Sequence, residues 1–134
     1  MQDIHIAAAA IVRPDGKFLL VRKRGTDRFM QAGGKLDAGE TAENALRREL
    51  MEELALDVSG YEVRYLGQLR APAANEAGMS VLAEQFVVKF EGELSPMAEI
   101  EEAIWVSLDE AIALPLAPLL TQQVLPLLKA EGIL

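Results

Sequence analysis

The sequence predicts one mixed α/β domain over residues 1–134, from three observations. Runs rich in β-branched and aliphatic residues lie both before and after a strongly helical segment. Within that segment Leu46, Leu50 and Leu54 fall on one stripe at about 100° per residue. The length of 134 residues, with 51% hydrophobic and 25% charged, is that of one globular unit able to bury a core.

The same numbers exclude several classes. No run of eighteen apolar residues is present, so no membrane helix is expected. The apolar stretch 6–12 follows Asp3 without a basic region before it and reads as a strand, not a signal peptide. With no cysteine there is no disulfide, thiolate metal site or cysteine nucleophile, and a cytoplasmic location is the expectation. A net charge of −8 argues against a broad nucleic-acid surface or an anionic membrane as partner. It leaves room for a small phosphorylated substrate, because a cation held by carboxylates presents local positive charge.

Residues 4–12 and 18–22 are β-compatible around Arg13-Pro14-Asp15-Gly16-Lys17, whose Pro-Asp-Gly marks a hairpin turn. The basic stretch Arg22-Lys23-Arg24-Gly25 follows. A short segment over 29–31 precedes Gly33-Gly34, and 35–39 reads as loop. Thr41 is placed to N-cap a helix running to about Leu54. Residues 62–69 and 81–90 are two longer strands with 71–80 as a small-residue loop between them, 95–102 is loop-like, and 103–106 is a short strand. Ser107-Leu108-Asp109-Glu110 starts a capped helix that stops near Pro115. Pro118 opens a last apolar helix to about Ala130, kinked or interrupted by Pro126.

Five carboxylates crowd the span from Glu40 to Glu53, and Glu49, Glu52 and Glu53 stand at i, i+3 and i+4. On a helix those three project from one side, within reach of a common point. Like charges so gathered repel, and a hard divalent cation with its preference for oxygen ligands would relieve them. A solvated charged face is the competing reading.

The spacing Gly34, five residues, Glu40, seven residues, Arg48-Glu49-Leu50, Met51, Glu52-Glu53, Leu54, Ala55, Leu56 resembles the signature of the Nudix hydrolases (MutT-like), G-x5-E-x7-R-E-U-x-E-E-x-G-U, where U is bulky and aliphatic. Ala55 departs from it at the usual glycine, and Ala32 stands where proline is frequent. Around the box, the hairpin before it, the strands after it and the acidic, Trp-containing passage 99–110 also resemble family members, so the likeness spans about 4–113.

The resemblance implies a mixed β-sheet sandwiched between helices (α/β/α). It also implies hydrolysis of the pyrophosphate in a nucleoside diphosphate linked to a group X, most simply a nucleoside triphosphate. A pyrophosphate repels incoming hydroxide, so cations must neutralise it and position the water. By the resemblance Glu49, Glu52 and Glu53 are metal ligands with the Gly33 carbonyl as a further one, and the metal is Mg²⁺ with Mn²⁺ as substitute. Glu40 and Arg48 orient those ligands. The general base is either Glu53 or a loop glutamate, Glu99 first, with Glu101 and Glu102 competing.

Gly34, Lys35, Arg22 and Arg24 are candidate substrate contacts. For the Arg22-Lys23-Arg24 run a solvated strand end stands equally open. The chain is expected to be a monomer or homodimer. A non-catalytic, metabolite-sensing domain of the same fold is the alternative function, set against the retention of all three box glutamates. Ala55, without glycine's freedom in the left-handed region, is expected to give a slightly different helix exit. His5 is given no role.

Overall fold

The computed structural model describes residues 3–134. A six-stranded mixed sheet is built from β1 (Asp3–Val12), β2 (Phe18–Lys23), β3 (Ala32–Lys35), β4 (Glu62–Pro72), β5 (Ser80–Lys89) and β6 (Ile100–Val106). The order is β4-β5-β1-β2-β6, with β3 also paired to β1. β1 is the spine. It runs parallel to β5 along its whole length; on its other edge the first half holds β3 and the last residue, Val12, pairs with Phe18 of β2.

Period-2 alternation makes β1 two-faced. Ala7, Ala9 and Ile11 enter one core with Leu46, Leu50 and Leu54 of α1 (Ala42–Leu54). Ala10 and Val12 enter a second core on the other face, closed by α2 (Leu108–Ala111), by Leu120 and Val124 of the turn before α3 (Leu125–Ala130), and by Leu128 of α3. The three α1 leucines are sealed from solvent, and burying each contributes roughly 2 kcal/mol. The small alanines of β1 let α1 lie close on the sheet. The result is the α/β/α sandwich. Among the described residues no helix is long and apolar enough to cross a membrane.

Four local expectations change. Lys35 ends strand β3 and is not part of the loop expected over 35–39, because Ala32 to Lys35, Gly33-Gly34 included, pair in register with Ala9 to Ile6 of β1. Gly33 fits there only as glycine: its φ is 143° and a Cβ would stand 2.1 Å from the Ala7 carbonyl oxygen. β4 and β5 extend to Pro72 and back from Ser80, which shortens the expected loop. β6 starts at Ile100, not Ala103, because pairing to β2 overrides the weak strand preference of Glu101-Glu102.

At the C-terminus helix runs over 118–130, and Pro126 is absorbed by a π-helical turn, Leu120–Val124, in which the Leu125 N–H reaches back to the Leu120 carbonyl. Ala55 adopts the left-handed conformation itself (φ 53°, ψ 33°), so α1 leaves by the route a glycine would take.

Candidate active site

The site starts at the α1 N-terminus. The Thr41 side chain accepts from the Asn44 N–H and sets the first turn, and the buried leucine stripe fixes the rotation of the helix. Glu49 and Glu53, one turn apart, then lie against β3. The glycines make that approach workable: a Cβ on Gly34 would stand 2.5 Å from the Glu49 carboxyl carbon. The Gly33 N–H donates to Glu53 Oε1 at 3.0 Å.

Arg48 ties this helix to the loop before it. Its Nε and Nη2 donate to the two oxygens of Glu40, both at 2.8 Å, a bidentate pair. Nη1 donates to Glu49 Oε1 at 2.9 Å and Nη2 also to the Lys35 carbonyl at 3.0 Å. Glu40 accepts the Asp37 N–H as well. The Arg48 guanidinium, with that N–H second, holds the Glu40 carboxyl down at about 2. Arg48 is in turn pushed above its usual range, by Glu40 first and Glu49 after it.

Glu53 is the opposite case. It is 3% exposed, and burial raises its pKa to about 7. The Gly33 N–H and the charge of Lys23 offset this only in part, and the charges of Glu49 and Glu99 add to it. A carboxylate buried beside other carboxylates is a group that a cation would stabilise.

Glu49 and Glu53, with the backbone of Gly33 and Gly34 against them, are hard-oxygen donors of the kind a divalent cation takes. Glu52 stands at the rim, its side chain 56% exposed and 3.7 Å from Arg48 Nη1. Among the described residues no three such groups already converge on one point. The donor chemistry fits, and the side chains would close on the ion.

Beside these acids opens a cavity of about 430 Å³. Gly33, Gly34, Lys35 and Glu49 form its polar end, joined by Lys23 and Glu99, whose Nζ and Oε1 lie 3.3 Å apart. The strand's alternation brings Lys23, not Arg22 or Arg24, to the cavity. Arg22 is held by Glu102 and the Thr26 carbonyl, and Arg24 by Glu101, so both arginines and both competing glutamates are occupied elsewhere. Ile4, Ile6, Val81, Leu119 and Leu120 give the far end an apolar lining, with residues 72–76 as its rim. Gln31 lies in that wall, paired with Gln85.

Sequence reasoning did not single out Lys23 from the Arg22-Lys23-Arg24 run as the cavity's basic residue, because the pairing with β6 that decides it is not written in the local sequence. It also missed the Gln31–Gln85 pair, for which residues so far apart in sequence offer none.

Comparison with known proteins gives a family model, described as the NUDIX domain, that matches residues 3–128. The chain is 34% identical over 126 residues to a CTP pyrophosphohydrolase of Escherichia coli (strain K12), covering 88% of this chain and 86% of that one. The solution structure of the E. coli ORF135 protein superposes with a TM-score of 0.69 at 31% identity, over 99% of this chain and 91% of that one. A MutT protein from Methanosarcina mazei Go1 superposes with a TM-score of 0.80 over 98% and 96% of the two chains, at 21% identity, a likeness of fold.

Proposed function

This chain belongs to the Nudix hydrolase family and is an enzyme acting on pyrophosphate bonds, and from that premise we propose that it cleaves a nucleoside triphosphate in a reaction that needs a divalent cation, Mg²⁺ with Mn²⁺ as substitute. The observation that carries the proposal is Glu53, buried on the N–H of Gly33 with Glu49 beside it, next to the cavity that Gly33 and Glu49 line. The name of the E. coli relative makes CTP the first substrate to try.

Glu49, Glu52 and Glu53, with the Gly33 carbonyl, would hold the cation. When bound, the cation neutralises phosphate charge and lowers the pKa of water at the site. The chain's own groups do the rest. Glu40 and Arg48 brace Glu49 so that its carboxylate stays against β3. Lys23 and Lys35, both at the cavity wall, attract the phosphates.

Water adds to a phosphorus of the anhydride, the bridging P–O bond breaks, and the water's proton passes to a carboxylate. Glu53 is the base we assign, because it is the buried carboxylate held in place by the Gly33 N–H beside Glu49. Glu99, exposed and paired with Lys23, is the lesser candidate.

The test is pyrophosphate release from a nucleotide panel with Mg²⁺, Mn²⁺ or a chelator, for the wild-type chain and Glu53→Gln. Turnover that needs the cation and collapses in the variant is the expected result. A chain inert toward the whole panel, or a Glu53→Gln variant as active as wild type, would sink the proposal.

A further inference from the structure

Gln31 and Gln85 are buried amides, 7% and 0% exposed, and Gln31 lines the cavity. Packing alone does not call for them, since two apolar side chains of the same shape can be as stable as a buried hydrogen-bonded pair. Their geometry is directional. Gln85 Nε2 donates to the Phe86 carbonyl at 3.0 Å, and a carbonyl only accepts, so the flip of the Gln85 amide is set. Its other N–H goes to Gln31 Oε1 at 2.6 Å, and its Oε1 accepts from Gln31 Nε2 at 3.1 Å. Gln85 has then spent both donors.

Gln31 has spent one donor and its oxygen on the partner, which leaves one amide N–H. Among the described residues no second acceptor meets Gln31 Nε2. Gln31, unlike Gln85, lines the cavity, where a ligand's acceptor can meet this N–H.

We propose that Gln31 reads the nucleobase of the substrate by donating this N–H to an acceptor on the base edge, a ring nitrogen or a ring carbonyl, and that Gln85 is the positioning residue that fixes its direction. The proposal rests on the nucleotide reading of the cavity. One cavity joins this amide to Gly34, Lys35 and Glu49. A ligand with a flat heteroaromatic ring between aliphatic walls therefore has its phosphates at the acids. The reciprocal pair occupies the edge of Gln31 that would otherwise contact a base bidentately, so recognition is through a single donor.

The experiment measures kcat and KM with Mg²⁺ for the four common ribonucleoside triphosphates. It adds analogues of the preferred one in which a single ring acceptor is replaced by C–H. Wild type should prefer one base, and one analogue should raise KM about tenfold, the worth of one hydrogen bond. Gln31→Leu should raise KM for the preferred nucleotide about tenfold with kcat within about twofold, and should no longer distinguish that analogue.

Gln85→Leu should give an intermediate loss, the donor being present but undirected. Should either single variant fold poorly because its partner is stranded, Gln31→Leu/Gln85→Leu removes both polar groups and should reproduce the indifference. A wild type that turns over nucleotides with a base preference that the double variant keeps overturns this proposal alone, as does a wild type with no preference. A wild type that cleaves no nucleotide overturns it together with the reading beneath it.

Discussion

The two ends of the cavity are built by opposite rules. At the polar end the carboxylates have neighbours that set them: Glu40 is gripped by Arg48, Arg48 also holds Glu49, and the Gly33 N–H holds Glu53. Elsewhere in the lining Ile4, Ile6, Val81, Leu119 and Leu120 make a shaped apolar surface, and Gln31 also faces the cavity. Charges held in place serve one reaction, whereas a surface of aliphatic side chains is selective through shape and a few hydrogen bonds. On the proposed function, chemistry and choice of substrate would be housed in separate parts of one pocket.

The sharpest way to break that division is to substitute one residue from each end and compare ratios across substrates. Glu53→Gln should lower kcat by about 10³-fold for every nucleotide cleaved, leaving the order of preference unchanged. Leu119→Ala should change kcat/KM for individual bases by less than about tenfold, in different directions for different bases. If Glu53→Gln reorders the substrates, or Leu119→Ala scales them all alike, the two ends are not separable.

The same glutamate gives the next largest effect, on stability in the absence of divalent cations. Its pKa is about 7 in the folded chain against 4.5 for an ordinary glutamate, so between those values the folded state keeps a proton that the unfolded state has lost. Stability therefore falls as pH rises through that window, by roughly 3 kcal/mol at most for the whole shift. Glu53→Gln abolishes the titration. The variant should melt above wild type at pH 8 and close to it at pH 4.5. Mg²⁺ should raise the Tm of wild type more than that of the variant. Parallel Tm profiles across pH for the two proteins would show that Glu53 is not the strained acid of the polar end.

How legible each end was follows from how it is assembled. Apart from Lys23 and Glu99, the polar end lies within the span from Gly33 to Glu53, so residue order grouped Glu49, Glu52 and Glu53; in the fold Glu49 and Glu53 lie against β3 while Glu52 stands at the rim. What spacing could not supply was the pairing of β3 with β1, which makes Gly33-Gly34 part of the strand on which Glu49 and Glu53 lie. The apolar end draws on β1, β5, the segment 72–76 and the last helix, and its amide pair joins positions far apart in the chain. No local period marks such an assembly. The Arg22-Lys23-Arg24 run lay between these cases: composition marked it as basic, but only its pairing with β6 decided which of the three faces the cavity.

A smaller effect tests whether the polar end works as a braced unit. Arg48→Lys keeps one positive charge but loses the fork that grips both oxygens of Glu40 while reaching Glu49 and the Lys35 carbonyl. A loss of about 10- to 100-fold in kcat/KM, together with weaker apparent affinity for Mg²⁺, is expected. Because Glu40 titrates at about 2, well below its usual 4.5, the brace is fully formed above about pH 4.5 and is lost only as pH falls toward 2. The activity ratio of wild type to Arg48→Lys should therefore be flat from pH 6 to 9. A ratio that drifts with pH over that range would mean that Arg48 acts on a group other than Glu40.

The smallest effect separates the frame of the polar end from its chemistry. Ala55 ends α1 in the left-handed region, where a side chain is disfavoured by about 1 kcal/mol relative to glycine. Its N–H nonetheless reaches back to the Leu50 and Met51 carbonyls, so the tertiary packing of α1 holds the turn against that preference. Ala55→Gly should raise Tm by about 4 °C for a chain of this size. Turnover should not change, since Leu46, Leu50 and Leu54 already fix where Glu49 and Glu53 stand. A rise in kcat alongside the rise in Tm would mean that the helix exit limits how well those carboxylates are placed, and that the frame is part of the chemistry.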